Sequence, residues 1–330
     1  MAMIRLFLLL LLSGTATLAL SQKPQKVALI GTTGKLGREA VQKLVSEGIP
    51  VKCLLRYPLT GVTPPASLED AKDSKQIAAF LSTLPGVEMI QGDVGNVESL
   101  KELLKDCTAC LALFGATAPK PWFKALIPFA YPESKPTHPK QVNYIGVQNL
   151  IAAIEASDTC KRLVRITGKG EEPFSFFSIL INLLGGMAKA WNNQAEGLLR
   201  DSSVDYTIVR PGIMKDNVDG GPNVLALKDN GGEMKTSAVS YSQIASLCIQ
   251  SLNYEQCKRS TLTVMNIENG AASYGPLLEQ VKSDSREFPD LFSQHQLATR
   301  LGGVILCLTL GLISKTIISG LIFVMSFSMR

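Results

Sequence analysis

The chain is poor in the side chains that usually hold metals or build disulfide scaffolds, with two histidines and seven cysteines in 330 residues. An odd, scattered cysteine set gives no disulfide framework. Cys107 and Cys110 form a CxxC, but no second pair or neighbouring histidine completes a zinc site. Cys53 and Cys110 fall inside apolar runs, where a thiol serves as a small buried hydrophobe. Cys248 and Cys257 would pair only in an oxidising compartment. Charge is also scarce: 18% of residues are charged, and the net +5 is spread without a basic block. That argues against nucleic acid as a partner. The absence of internal repeats and low-complexity tracts argues against a solenoid or an extended linker.

Apolar residues, by contrast, are plentiful at 46%, enough to bury one α/β core, and they also dominate both ends. Met1 to Leu20 carries Arg5, a run from Leu6 to Leu12 and small residues suited to cleavage after Ala19, the pattern of a signal peptide or an uncleaved N-terminal anchor. Leu301 to Phe327 is long enough to cross a bilayer, interrupted by Lys315, whose central charge costs roughly 2.5–3.5 kcal/mol. This reads as a transmembrane helix. A cleaved signal would place the domain in a lumen, whereas Lys282, Arg286 and Arg300 against Arg330 alone favour a cytoplasmic one. The expectation is a single-pass membrane protein of the secretory pathway or an endomembrane, with a plastid membrane as the alternative.

Between the ends, across residues 26–290, short apolar runs alternate with amphipathic stretches, the signature of parallel strands joined by helices. Strands are expected at Val27–Ile30, Val51–Leu55, Val87–Ile90, Ala109–Leu113, Leu163–Thr167, Tyr206–Val209 and Thr261–Met265. Helices are expected at Leu36–Ser46, Ser99–Lys105, Gln141–Ala156, Ala188–Asp201 and Tyr241–Leu252. The fold class is therefore α/β, a doubly wound parallel sheet, followed by the C-terminal hydrophobic helix. Three segments exceed ordinary connections: Tyr57–Pro85, Gly115–Lys140 and Lys169–Gly186. The last two follow carboxyl ends of strands and carry Trp122, Phe123, Phe174, Phe176 and Phe177. Either they form a lid over a pocket, or they are an apolar surface for the membrane or a protein partner.

The strongest chemical signal is Gly31-Thr-Thr-Gly-Lys-Leu-Gly37, directly after the first strand and opening the first helix. Gly31 allows a tight turn, Gly34 lets the backbone approach a pyrophosphate, and Gly37 permits close helix–strand packing. The helix N-terminus adds free N–H groups and the positive end of its dipole. Thr32, Thr33, Lys35 and Leu36 complete this nicotinamide dinucleotide site. At the end of the second strand stands Arg56, where an NAD-selective protein would carry an acidic residue. A guanidinium there suits a 2′-phosphate, so the expected cofactor is NADP(H).

With these residues placed, the chain resembles the atypical, extended short-chain dehydrogenase/reductases with an NAD(P)-binding Rossmann fold, NmrA-like, over roughly Lys26 to Asn266. The resemblance rests on the glycine loop, Gln91-Gly-Asp-Val94, Val142-Asn-Tyr-Ile-Gly146, Arg162-Leu-Val-Arg-Ile-Thr167 and Asp205-Tyr-Thr-Ile-Val-Arg-Pro-Gly212. The run from Ile181 to Gly212 is similar to plastid translocon-associated relatives. The resemblance implies that Asp93 and Val94 border the adenine, unless Asp93 merely caps the next helix. It also implies that Phe114, Gly115 and Ala116 pass under the nicotinamide half, with Pro211 nearby, and that Thr167 sits at the family's active-site Ser/Thr position.

One departure matters more than the match. Active members use a Tyr as proton donor and a Lys four residues later; counting back from Glu196 puts Asn192 at the Lys position and Ala188 at the Tyr position. Alanine carries no proton, and a neutral amide cannot depress a phenol's pKa. Lys189 and Tyr144 are candidate substitutes; His138 and His295 lie outside the motif. Three readings remain: a redox-responsive NADP(H)-binding module or scaffold that docks a partner through residues 115–140, a reductase or isomerase of an apolar molecule with another donor, and a structural unit with a vestigial nucleotide site.

Overall fold

A computed structural model describes residues 24–126, 130–169, 171–216, 225–228, 236–267 and 273–309. The first strand, β1 (Val27–Ile30), is buried on both faces, as a central parallel strand must be. The chain continues through α1 (Lys35–Ser46), β2 (Val51–Leu55), α2 (Ser74–Leu81), β3 (Val87–Gln91), α3 (Val97–Leu104) and β4 (Ala109–Ala112). Next come a 3-10 turn (Trp122–Leu126), a π-helical stretch (Lys140–Ile145) running into α4 (Gly146–Glu155), then β5 (Arg162–Ile166), α5 (Phe176–Leu184), α6 (Ala188–Asp201) and β6 (Asp205–Pro211). The remainder adds β7 (Ile213–Lys215), β8 (Leu225–Lys228), β9 (Ala238–Ser240), α7 (Tyr241–Ser251), β10 (Ser260–Asn266) and α8 (Gly275–Leu278). A final described helix, α9, covers residues 292–309.

The main sheet has the order β3-β2-β1-β4-β5-β6-β10-β8. Its strands are parallel except β8, which runs antiparallel to β10 at the edge. A small second sheet pairs β7 with β9. The chain reverses its direction of travel between β1 and β4, so the crevice above their carboxyl ends is where a doubly wound sheet takes its ligand. Leu44, Val41, Val164 and Leu247 pack one face of the sheet with α1 and α7, and Leu103, Leu150, Leu163 and Leu199 pack the other with α3, α4 and α6.

All seven expected strands form, with ends within two residues of expectation, and α6 matches its expected span. Three of the described helices were not expected: the short α8 and two that lie inside the long connections. α2 lies inside Tyr57–Pro85, where Asp73 caps it by accepting from the Lys75 and Gln76 N–H groups, both at 2.9 Å. α5 lies inside Lys169–Gly186 and is capped by Ser175; its apolar residues face outward, so no amphipathic rhythm announced it. The thiols of Cys53, Cys107, Cys110, Cys160, Cys248 and Cys257 are free and buried, and burial pushes that of Cys53 up to about 12.

The expected N-terminal segment, residues 1–20, lies outside the described residues. The expected transmembrane helix Leu301–Phe327 is described only as far as Thr309. Among the described residues, no helix is long and apolar enough to cross a membrane. The sheet and its flanking helices are thus established, and a long apolar C-terminal helix is not.

Candidate nucleotide site and catalytic face

The turn between β1 and α1 is built around absent side chains. Gly31 has φ +96°, and a Cβ there would lie 2.5 Å from the Leu113 carbonyl oxygen at the end of β4. A Cβ on Gly37 would lie 2.1 Å from the Gly31 carbonyl oxygen, so only glycine lets the helix approach its strand this closely. Gly34 donates its N–H to the Gly31 carbonyl at 3.1 Å and serves as N-cap without a side-chain cap. The first-turn N–H groups of α1 therefore face the crevice without side-chain competitors, a cradle that fits an anionic pyrophosphate. Thr32 and Leu36 are buried beneath the turn, and Thr33 lies beside the Tyr57 phenol. The Lys35 ammonium pairs with Asp216 across the crevice and lies 5.6 Å from the Tyr241 ring. Arg56 directly follows β2 and is exposed.

At the end of β3, the Asp93 carboxylate accepts from Gly95 N–H at 2.8 Å. The cap of α3 is Asn96, which accepts from Glu98 N–H at 2.9 Å, so Asp93 shapes the turn and does not cap the helix. Val94 is buried against Gly146, where a Cβ would come within 2.8 Å of it.

Beyond β4, Phe114, Gly115 and Ala116 are tied to α6 by one side chain. The Asn143 carbonyl oxygen accepts from Ala116 N–H at 2.8 Å, and its amide nitrogen donates to Ala188 O at 3.5 Å. Asn143 belongs to the π-helical stretch, a widened turn of the kind that recurs at functional sites. Below this loop lies the fully buried Arg165 of β5. Its guanidinium stacks 4.2 Å from the Phe114 ring centre. It donates to Ala112 O at 3.2 Å, to Phe114 O, and to the Asn192 side-chain oxygen at 3.3 Å. Burial pulls its pKa down to about 10. Asn192, at the position where the resemblance expects lysine, therefore serves as an acceptor for a cation supplied by the sheet.

Pro211, the last residue of β6, is buried, beside Gly212, whose N–H bonds Val264 O at 2.9 Å. Thr167 directs its hydroxyl to Glu196, donating at 2.7 Å. Glu196 is buried, and its carboxylate also pairs with Arg210 and, at 3.1 Å, with Arg200. Burial alone would raise its pKa, but Arg210, Arg200 and the Thr167 hydroxyl outweigh it and hold the group down at about 2. One helical turn before the Asn192 position, Lys189 donates to the buried Ser178 hydroxyl at 2.8 Å. Burial lowers the Lys189 ammonium to about 8, with Glu172 opposing. Tyr144 packs on Trp191, ring centres 5.6 Å apart.

These geometric features agree with comparison to known proteins: a family profile described as NAD(P)H-binding matches residues 31–255. The chain belongs to that family. It is an NAD(P)-binding Rossmann-fold protein of the NmrA-like, atypical short-chain dehydrogenase/reductase type. It is 26% identical to the chloroplastic Protein TIC 62 of Arabidopsis thaliana, over 67% of this chain but only 33% of that protein, so it spans a third of that relative's length. It is 25% identical to sanguinarine reductase of Eschscholzia californica, over 83% of this chain and 97% of that one. Its fold matches a short-chain dehydrogenase/reductase from Veillonella parvula solved in complex with NADP, with a TM-score of 0.53 at 12% identity, over 76% of this chain and 98% of the other.

The structure thus gathers the glycine loop, Arg56, Asp93 and Phe114–Ala116 around one crevice at the carboxyl ends of β1 to β4. Two residues there went unassigned in the sequence. Asn143 and Arg165 both sit inside motifs that carry the family resemblance, but a role for either requires knowing that the loop, the π-helical stretch and α6 meet. His138, buried against Gly186, and His295, bonded to Asn182 at 3.0 Å, are structural in their settings.

Proposed function

We propose that this protein binds NADP(H) at the crevice and works as a redox-responsive binding or scaffold module without Tyr-dependent hydride transfer. The observation that carries the reading is a cradle complete for phosphate beside an α6 face that has neither proton donor nor lysine at the family positions. Gly31, Thr32, Thr33, Gly34, Lys35, Leu36 and Gly37 would hold the pyrophosphate, Arg56 the 2′-phosphate, Asp93 and Val94 the adenine side, and Phe114, Gly115, Ala116 and Pro211 the nicotinamide side. When bound, the nicotinamide supplies or accepts hydride. The chain's own groups are otherwise engaged: Ala188 has no proton to give, Asn192 accepts from Arg165, and the Thr167 hydroxyl is bonded to Glu196. The NADP held by the Veillonella relative supports the choice of cofactor.

A second reading, reduction or isomerisation of an apolar small molecule, is favoured by one observation. Lys189, on the first turn of α6, has its pKa lowered by burial to about 8, which moves it toward the range of a general acid; in keeping with this, one relative is named a reductase. We further propose that the apolar run through Leu301–Phe327 holds the protein in a membrane; the chloroplastic relative supports the plastid alternative over the secretory pathway. Carbonate extraction should leave the full chain in the membrane pellet and release a version ending at Thr299. Calorimetric titration of the full chain with NADPH and NADH tests the core reading. Tighter binding of NADPH is expected, and no binding of either nucleotide would overturn it.

A further inference from the structure

The apolar side chains that α5 turns outward do not stand alone. The Trp122–Leu126 turn lies beside α5, and Trp122, Phe123, Phe176 and Phe177 are all exposed, Phe176 at 72%. On the far side, α9 packs so closely on α5 that a Cβ on Gly302 would come within 2.2 Å of Ile179. That helix buries His295 and Ala298 toward the domain. Its apolar stripe, Leu297, Leu301, Ile305 and Leu308, follows helical spacing yet points outward, with Ile305 64% exposed. A helix ordinarily turns such a stripe into the core. Here three neighbouring elements all leave large apolar side chains exposed, and exposed apolar surface on adjoining elements marks an interaction surface.

Two features of the chain say what covers it. From α9 the sequence continues through residues 310–327, apolar except for Lys315 among its charged types. Lys120, which is exposed, and Lys124 flank Trp122 and Phe123, and basic residues beside interfacial aromatics complement anionic lipid headgroups. A second copy of this chain would instead bring those like charges together.

We propose that the face formed by the Trp122–Leu126 turn, α5 and α9 beds shallowly into a lipid bilayer. The turn follows β4 and α5 follows β5 on the carboxyl side of the sheet, so the nicotinamide end of the crevice would open at the membrane surface. An apolar ligand could then reach it from the lipid. The inference deepens the membrane part of the proposed function and is independent of which nucleotide binds.

The chain has two tryptophans, and Trp191 is buried between Tyr144 and Phe292. In full-length Trp191→Phe, Trp122 is therefore the sole reporter. The protein is reconstituted into vesicles of phosphatidylcholine and phosphatidylglycerol carrying bromines near the top of the acyl chains. Trp122 should lose most of its emission to the brominated lipid and resist aqueous iodide. A companion bearing Phe176→Asp and Phe177→Asp should stay vesicle-bound through its C-terminal segment but show Trp122 open to iodide. Emission untouched by bromine and quenched by iodide in the parent would overturn the proposal. So would Trp122 already shielded from iodide without vesicles, since the patch would then be covered by protein. NADPH affinity measured on the same samples separates the two readings: its loss sinks the nucleotide assignment and leaves the bilayer result standing.

Discussion

The two ends of the crevice are built on opposite principles. At the phosphate end, Gly31, Gly34 and Gly37 remove side chains so that backbone N–H groups stay open toward the crevice. At the nicotinamide end, side chains fill the space and bond one another: Asn143 bridges Ala116 and Ala188, Arg165 donates to the Asn192 side-chain oxygen, and Glu196 gathers Thr167, Arg200 and Arg210. One end is kept open by glycines, the other is filled by its own side chains. On the proposed reading, binding and acid–base chemistry are separable on this fold.

The sharpest way to break the comparison is to disturb the nicotinamide end. Glu196→Gln removes the counter-charge from Arg210, which is fully buried, and leaves it Glu171 alone. Removing one partner of a buried pair should cost about 3–5 kcal/mol, read by urea unfolding. The same carboxylate sets an acid dependence. Its folded pKa of about 2 lies below the ordinary 4.5, so its stabilisation is complete above pH 4.5 and drains away as pH falls toward 2. The Gln variant should lack that component of the slope, while its NADPH affinity at neutral pH should change little if it folds.

Gly37→Ala attacks the open end instead. Its Cβ would collide with the Gly31 carbonyl, so the loop must shift, at about 1–3 kcal/mol for such overpacking. Calorimetry should show weaker binding of NADPH and NADH alike. Arg56→Ala sharpens the contrast within the same end. Losing one charged hydrogen bond to a 2′-phosphate costs about 1.5–3 kcal/mol, roughly tenfold to a hundredfold in NADPH affinity, with NADH unchanged. The smallest effect is expected from Thr167→Val. Glu196 keeps its two arginines, so stability should fall by about 0.5–1.5 kcal/mol with no change in nucleotide binding. A large loss of any turnover in that variant would instead return Thr167 to a chemical role.

What was legible in the chain follows from the range of the forces involved. β1, β2, β4 to β6 and β10 announced themselves as short apolar runs because burial on both faces leaves no alternation to confuse; β3, at the sheet edge and only partly buried, was readable from its apolar residues alone, and the glycine loop because a turn's demands are local. α5 was missed because its apolar residues serve a surface rather than the core. α2 was missed because its cap at Asp73 opens only a short helix within a polar stretch. The catalytic face was half legible: counting from Glu196 placed Ala188 and Asn192 on one helix face, which α6 bears out. That Arg165 would reach Asn192 from a strand was not readable, since it depends on packing between residues 27 positions apart. The Leu301–Phe327 span continues beyond the described residues.

The most direct test combines binding and turnover in one sample. NADPH is titrated into the full chain, and its oxidation is followed after adding a panel of quinones, enones and aldehydes. Saturable binding with oxidation near background is the expected result, because general acid catalysis worth about 10²–10⁴-fold has no donor at Ala188. Rapid oxidation of NADPH by any member of the panel, abolished by Gly34→Asp in the phosphate cradle, would contradict the account and shift attention to Lys189.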